Sequence, residues 1–259
     1  MKTAIIGRGA IATFVRESVT KGGVEVGALI VRPGKEGPDD QGLAQVSAIA
    51  DLPPGIDLVV DCAGHEGLRA HGIAALEAGH DVLTVSIGAL ADSNLMDSLT
   101  AAAVKGGGQL HLASGAIGAL DALRAARAGG LACVKYTGRK PPMGWKGSPA
   151  EERLDLAGLT QAKVHFLGSA REAALAYPKN ANVAAAVALA SLGFDDTIVE
   201  LIADPSVTAN IHQIEASGDF GEMTFSVSGT SLPDNPRSSA LAAMSVVAAL
   251  LEQQSAIRF

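Results

Sequence analysis

The chain has 259 residues, 48% of them hydrophobic and only 3% aromatic, with a formal net charge of −7. A chain of this length buries a core without disulfides or metals, and a core of Ala, Val, Leu and Ile suits helices laid on a sheet. The acidic balance, with no run of Lys or Arg, excludes a nucleic-acid surface, which needs a concentrated positive field.

From residue 1 to about 112 strands and helices alternate. Residues 2–6 form a short apolar run ending at Gly7, a first strand, and 10–20 has helical spacing closed by Lys21-Gly22-Gly23. Strands are expected at 24–31, 45–50, 58–61, 81–85 and 109–112, with helices at 66–78 and from a cap at Asp92 to Lys105. Strand, helix, strand at this spacing gives right-handed crossovers and a parallel sheet. Beyond residue 112 the character changes. A helix is expected over 116–128 and a strand over 132–137, followed by a polar, Pro-containing excursion over 138–157. Strands at 164–169, 197–203, 210–217 and 221–228, with one helix at 183–192 among them, predict a mixed or antiparallel second sheet. A long apolar helix over 236–253 ends the chain. The fold class expected is α/β: a Rossmann-type dinucleotide-binding domain at 1–112, a catalytic and dimerisation domain at 113–234, and a C-terminal helix at 235–259 packing back on the first domain.

The mean hydropathy is positive, at +0.27. Even so, the apolar stretches 183–194 and 240–251 fall short of the ~18 residues a spanning helix needs. Arg8 and Arg16 interrupt any signal-peptide core. Cys62 and Cys133 lie in apolar, strand-like runs without Cys-x-x-Cys spacing and read as buried thiols in a reducing compartment. The expectation is a soluble cytoplasmic protein with no metal, no nucleic acid and no membrane among its partners.

Gly7-Arg8-Gly9-Ala10-Ile11-Ala12 matches G-x-G-x-x-A directly after a strand and at the start of a helix. Gly7 permits the tight turn, Gly9 lets the backbone approach a pyrophosphate, and Ala12 allows close helix–strand packing. The free N–H groups at the helix start, around Ala10 and Ile11, would hold the phosphates. At the end of the second strand Arg32 stands where an acid would bind the ribose of NAD, a placement that favours the 2′-phosphate of NADP. Use of both NAD and NADP is the resulting expectation, with a solvated arginine as the alternative. The loop Cys62-Ala63-Gly64-His65 follows the strand at 58–61, at the carboxyl edge where open α/β sheets bind ligands, so Ala63 and Gly64 join the cofactor set. Of six histidines, His212 stands out because it interrupts a strand pattern in the second region. His65, at the carboxyl edge, could touch cofactor or substrate, with a helix-start residue bonding its own loop as the simpler reading, and His71, His80, His111 and His165 have structural readings.

Several segments together resemble one family, the L-aspartate dehydrogenases. They are Gly7 to Ala12, Cys62-Ala63-Gly64-His65-Glu66, Ser114-Gly115-Ala116-Ile117-Gly118-Ala119-Leu120-Asp121 and Thr137-Gly138-Arg139-Lys140-Pro141-Pro142. Tyr177-Pro178-Lys179-Asn180-Ala181-Asn182-Val183-Ala184-Ala185, Asn210-Ile211-His212-Gln213-Ile214-Glu215 and Leu232-Pro233-Asp234-Asn235-Pro236-Arg237-Ser238-Ser239 continue the series across nearly the whole chain. The resemblance implies that His212 is catalytic and that Ala116 and Asn182 contact the cofactor near its nicotinamide. It further implies oxidation of L-aspartate to iminoaspartate with NAD or NADP, the imine passing to oxaloacetate and ammonia or to NAD biosynthesis. The chemistry agrees, since amine oxidation needs a group titrating near neutrality. Two substrate carboxylates need cations, for which Lys140, Lys179 and Arg237 are candidates.

Two other readings stand beside this one. A reductase of the dihydrodipicolinate-reductase type would share the architecture, but the histidine pair sought there is absent because Gln213 follows His212. A non-catalytic NAD(P)-binding sensor would use its second domain only to dimerise. An apolar face on the second sheet predicts a homodimer.

Overall fold

A computed structural model describes residues 1–178, 180–232 and 235–257, with the side chains of 235–238 left out. The chain divides into two compact units, residues 1–113 with 242–259, and residues 114–241.

The first unit is built on a sheet in the order β3-β4-β2-β1-β5-β6-β7. Its strands are β1 (Lys2–Ile6), β2 (Glu25–Ile30), β3 (Gly37–Pro38), β4 (Ala44–Val46), β5 (Leu58–Asp61), β6 (Asp81–Thr84) and β7 (Leu110–Leu112). All neighbours pair in parallel except β3 with β4. Helices α1 (Ala10–Thr20), α2 (His65–Glu77) and α3 (Ser93–Gly106) make the crossovers. Apart from the half-buried Lys2, β1 and β5 are buried throughout, and Ala4–Ile6 and Leu58–Val60 are apolar, as strands covered on both faces must be. Asp92 caps α3 by accepting from the N–H groups of Asn94 and Leu95, and Gly107 ends it in the left-handed region at φ 76°. The stretch expected as a strand over 45–50 is split, because the chain leaves β4 for a single 3-10 turn at Ile49–Asp51.

The second unit holds α4 (Leu120–Ala128), β8 (Leu131–Lys140), α5 (Ala150–Arg153), β9 (Lys163–Ser169), α6 (Ala170–Ala176), α7 (Asn182–Ala190), β10 (Ile198–Ala203), β11 (Asn210–Gly218) and β12 (Gly221–Gly229). Their sheet runs β12-β11-β8-β10-β9, mixed because β8 and β10 are parallel while the other pairs are antiparallel. β13 (Ser231–Leu232) and β14 (Asn235–Ser239) form a small ribbon leading into α8 (Ala240–Glu252).

Four sequence expectations change here. The helix expected from residue 116 begins only at Leu120, because Gly115 and Ala119 take left-handed backbone at φ 71° and 60°. The excursion expected from residue 138 is, in its first three residues, still β8. That strand lies at the centre of the sheet and pairs with β10 and β11 as far as Lys140 and Arg139. The final helix starts at Ala240, not 236, since Asn235–Ser239 pairs with β13. Cys133, expected to be buried, is exposed, because alternation in β8 turns it to the opposite face from Val134.

Cross-strand register sorts the second sheet into two faces. One carries Val134, Tyr136, Gly138, Leu201, His212 and Ile214, and is buried. The other carries Lys135, Arg139, Glu200, Gln213 and Glu215, with Lys135 and Glu200 paired at 3.1 Å. The open face is therefore of mixed polarity, with Val164, Leu167 and Ile198 exposed among these charges.

Candidate active site

The sheet of the first unit reverses strand order at β1, whose two neighbours are β2 and β5. Such a switch point opens a crevice at the carboxyl ends of the strands. The predicted cofactor residues Gly7 and Ala63 meet there. Gly7 has φ +101°, and a Cβ on it would lie 3.0 Å from Ala63 Cβ, so the turn out of β1 requires glycine on both counts. Gly64, at φ +83°, precedes α2 in the same way.

Gly9 is the N-cap of α1 and has no side chain to satisfy the helix start. The first helical bond runs from Thr13 N–H to the Gly9 carbonyl, which leaves the N–H groups of Ala10, Ile11 and Ala12 without intrahelical acceptors. A Cβ built on Gly9 meets nothing within 4 Å. Open space beside unsatisfied donors at the positive end of a helix is what a pyrophosphate needs. The residues present thus fit a dinucleotide. Arg32 lies exposed just past β2 and makes no ion pair among the described residues.

One residue at this edge escaped sequence reasoning. Asp61, the last of β5, is fully buried and accepts hydrogen bonds from the Thr84 and Ser86 hydroxyls and the Ala63 N–H. Burial raises its pKa against those donors. Its carboxyl ties the ends of β5 and β6 together and fixes the loop that presents Ala63 and Gly64. An acid closing an otherwise apolar strand was the available signal.

In the second unit His212 faces the covered side of β11 beside Ile214 and Ala216, and is only 5% exposed. Its Nδ1 is 2.7 Å from the Tyr136 hydroxyl, and the two rings lie nearly parallel at 17°. With Nδ1 engaged, Nε2 is the ring nitrogen not bonded to Tyr136. Burial first, and the charge of Lys140 second, push His212 down to about pKa 4, so the ring is neutral at physiological pH. Tyr136 is held protonated by its own burial. Gly138, opposite His212 in the register, is needed for the pair, since a Cβ there would sit 2.9 Å from the Tyr136 hydroxyl. Tyr136, Gly138 and Lys140 alternate along one face of β8, a Tyr-x-Gly-x-Lys pattern that only its recognition as strand would have revealed.

Lys140, half-buried, donates to Asn180 Oδ1 at 2.7 Å and stands 4.9 Å over the ring of Trp145. Trp145 is fully buried and in edge contact with His165, whose Nδ1 is 3.2 Å from the Tyr177 hydroxyl. Ala116 is buried ahead of α4, and Asn182 opens α7. Of the cations named from sequence, Lys179 and the Arg237 side chain lie outside the described residues. Among the described residues no group of three His, Cys, Asp or Glu could hold a metal, and no helix is long and apolar enough to cross a membrane.

A glycine-turned βαβ crevice joined in one chain to a mixed-sheet domain that presents a neutral, buried histidine defines the class of two-domain nicotinamide-dependent dehydrogenases. The profile described as homoserine dehydrogenase, NAD binding domain, matches residues 5–113, and that described as aspartate dehydrogenase, C-terminal, matches residues 121–253. The chain belongs to the L-aspartate dehydrogenase family. It is similar to the L-aspartate dehydrogenase of Ruegeria pomeroyi, 56% identical over all of this chain and 94% of that one. With that of Pseudomonas aeruginosa it shares 47% identity over 99% of both. The crystal structure of aspartate dehydrogenase from Thermotoga maritima superposes with a TM-score of 0.78 at 26% identity, covering 100% of this chain and 99% of that one. A hyperthermophilic archaeal homoserine dehydrogenase solved with NADPH shares the fold, with a TM-score of 0.59 at 12% identity over 98% of this chain and 97% of that one.

Proposed function

We propose that this protein oxidises L-aspartate to iminoaspartate with NAD or NADP, His212 serving as the acid–base group. The observation that carries the reading is the buried His212–Tyr136 pair in the unit matched by the aspartate dehydrogenase profile. Gly7, Gly9, Ala10, Ile11, Ala63 and Gly64 would hold the dinucleotide, with Arg32 at the adenosine ribose and Ala116 and Asn182 toward the nicotinamide. The bound nicotinamide supplies the hydride acceptor.

The protein's own part is proton management. A substrate ammonium must lose a proton before its α-carbon can give up hydride, and the neutral Nε2 would take it once a bound substrate carboxylate offsets the Lys140 charge that helps hold the ring's pKa down. As His212 becomes cationic, Nδ1 carries a proton that the Tyr136 oxygen can accept. A hydroxyl, both donor and acceptor, serves either state of the ring without the fixed negative charge of a carboxylate. The iminoaspartate released hydrolyses to oxaloacetate and ammonia or enters NAD biosynthesis. We assign the enzyme to the cytoplasm and read it as a homodimer, for which the unpaired outer edge of β12 offers a pairing surface.

Mixing the protein with L-aspartate and NAD or NADP and following absorbance of the reduced nicotinamide tests the activity. No reduction with either cofactor would reject it. His212→Ala is expected to keep cofactor binding and lose about two to four orders of magnitude in turnover, the usual worth of a positioned acid–base group. Near-normal turnover in that variant would remove His212 from the mechanism.

A further inference from the structure

Lys140 is the terminal residue of β8 on the covered face that also carries Tyr136 and His212, and it pairs with buried Ala203 in the register. Its ammonium has one neutral partner, Asn180 Oδ1 at 2.7 Å, and one ring beneath it, Trp145 at 4.9 Å. Among the described residues no carboxylate lies within ion-pair distance of it, whereas its strand neighbours Lys135 and Arg139, on the opposite face, are paired with Glu200 and Asp204. Two of the three β8 cations are thus neutralised by the protein, and the one facing inward is not.

A partly desolvated ammonium without a counter-ion is costly, and folded proteins keep one where a ligand supplies the missing charge. Burial lowers the Lys140 pKa to about 8, so it remains largely charged at neutral pH. Its field reaches both His212 and His165, lowering the pKa of each, which places the ammonium close to the acid–base group. The same cluster contains another unmet group, since His165 Nε2 is buried and has no hydrogen-bond partner among the described residues. Trp145 cannot move aside, because its Nε1–H is tied to the Ile202 carbonyl at 3.0 Å. The ring and Asn180 therefore fix the direction in which the remaining ammonium donors point.

We propose that Lys140, held between Asn180 and the face of Trp145, is the receptor for a carboxylate of the dicarboxylate substrate, and so a specificity-determining residue of the site. The inference rests on the aspartate-oxidising reading above. It assigns to the second unit both groups that handle the substrate: His212 for the nitrogen and Lys140 for an anionic end.

The chain contains a single tryptophan, and it is the one under Lys140. Trp145 emission therefore reports on this ammonium with no need for turnover. The probe is succinate, a dicarboxylate with no amine to oxidise, titrated in the presence of saturating NAD, with calorimetry run in parallel. Saturable binding to the wild-type protein is expected. Lys140→Met should weaken it roughly 10- to 100-fold, the loss of a charge-assisted hydrogen bond, and Lys140→Arg should restore part of it. Unchanged succinate affinity in a Lys140→Met variant that keeps the wild-type circular dichroism would overturn the assignment. So would calorimetry that finds no succinate binding to the wild type.

Steady-state kinetics separate the two levels of the reading. Lysine-dependent succinate binding without any aspartate oxidation would leave the subsite standing and reject the activity. Wild-type KM for L-aspartate in Lys140→Met would do the reverse. L-asparagine identifies which carboxylate is held. If it is the side-chain group, Lys140→Met narrows the preference for aspartate over asparagine. If it is the α-carboxylate, the variant weakens both alike.

Discussion

Replacing Tyr136 by Phe removes one oxygen from a fully buried ring and nothing else. In the wild type that oxygen is 2.7 Å from His212 Nδ1, and Tyr136 is 1% exposed, so water cannot easily take its place. Losing the bond and leaving a buried ring nitrogen without a partner costs about 1–3 kcal/mol. For a chain of this size that lowers Tm by about 2–10 °C. If the bond also holds His212 in its working orientation, the same energy appears at the transition state as a roughly 5- to 150-fold fall in kcat. KM for L-aspartate and the affinity for cofactor should hardly move, because the hydroxyl is buried and engaged by His212. Thermal denaturation followed by circular dichroism gives the first number, and initial rates of nicotinamide reduction give the second. Nitrogen chemical shifts of the His212 ring should show the change of tautomer balance directly. A variant that loses stability and keeps kcat would refute the positioning role and reduce the pair to a packing contact.

Gly9→Val should abolish binding of both NAD and NADP while leaving Tm near wild type, since its Cβ meets no atom within 4 Å in the protein and its extended φ of −78° suits any residue; unchanged NAD titration would sink the phosphate site. Arg32→Asp should weaken NADP far more than NAD in competition titrations, and an equal fall in both would remove Arg32 as the selector. Acid should destabilise the fold through His165 and His212, both of which burial lowers to about pKa 4 from 6.5. The unfolded chain binds these protons first, so stability present above pH 6.5 is lost as pH falls toward 4, by an amount on the order of a few kcal/mol. Urea midpoints across that range check the sign, and a midpoint rising toward pH 4 would contradict it.

The first unit was readable almost residue for residue because each of its signals is local. β1, α1 and β5 have the bounds that apolar runs and glycine breaks imply, and Asp92 caps α3 as its position suggests. In the second unit the decisive facts are non-local. Thr137-Gly138-Arg139-Lys140 has the glycine and following prolines of a loop, and only pairing with β10 and β11 on both sides makes it strand. Once that extension was missed, the alternation that puts Tyr136 and Lys140 on one face could not be seen. His212 was found by its interruption of a strand and by resemblance, but its Tyr136 partner lies 76 residues away. The short helix α6 was missed for another reason. Its start is a capping box, Ser169 with Glu172, sitting directly against the end of β9, so no turn residue separates the two elements.

The division of the chain carries a consequence for how the molecule is made. The first unit is interrupted: its sheet is complete by residue 113, yet Val246 and Leu250 belong to the same core cluster as Val15, Val19 and Leu29. The turn after α1 is shaped for that late arrival, for a Cβ on Gly22 would fall 2.2 Å from Leu251 Cδ2. During synthesis the N-terminal sheet therefore emerges first and waits, with an apolar surface uncovered, until the whole intervening unit and α8 have followed. A ribosome-bound chain stopped before residue 240 should aggregate or recruit a chaperone, and should bind nicotinamide dinucleotide poorly despite holding every residue of the glycine turn. Adding α8 as a separate peptide should relieve both defects. The half of the protein that begins the chain is thus the half completed last.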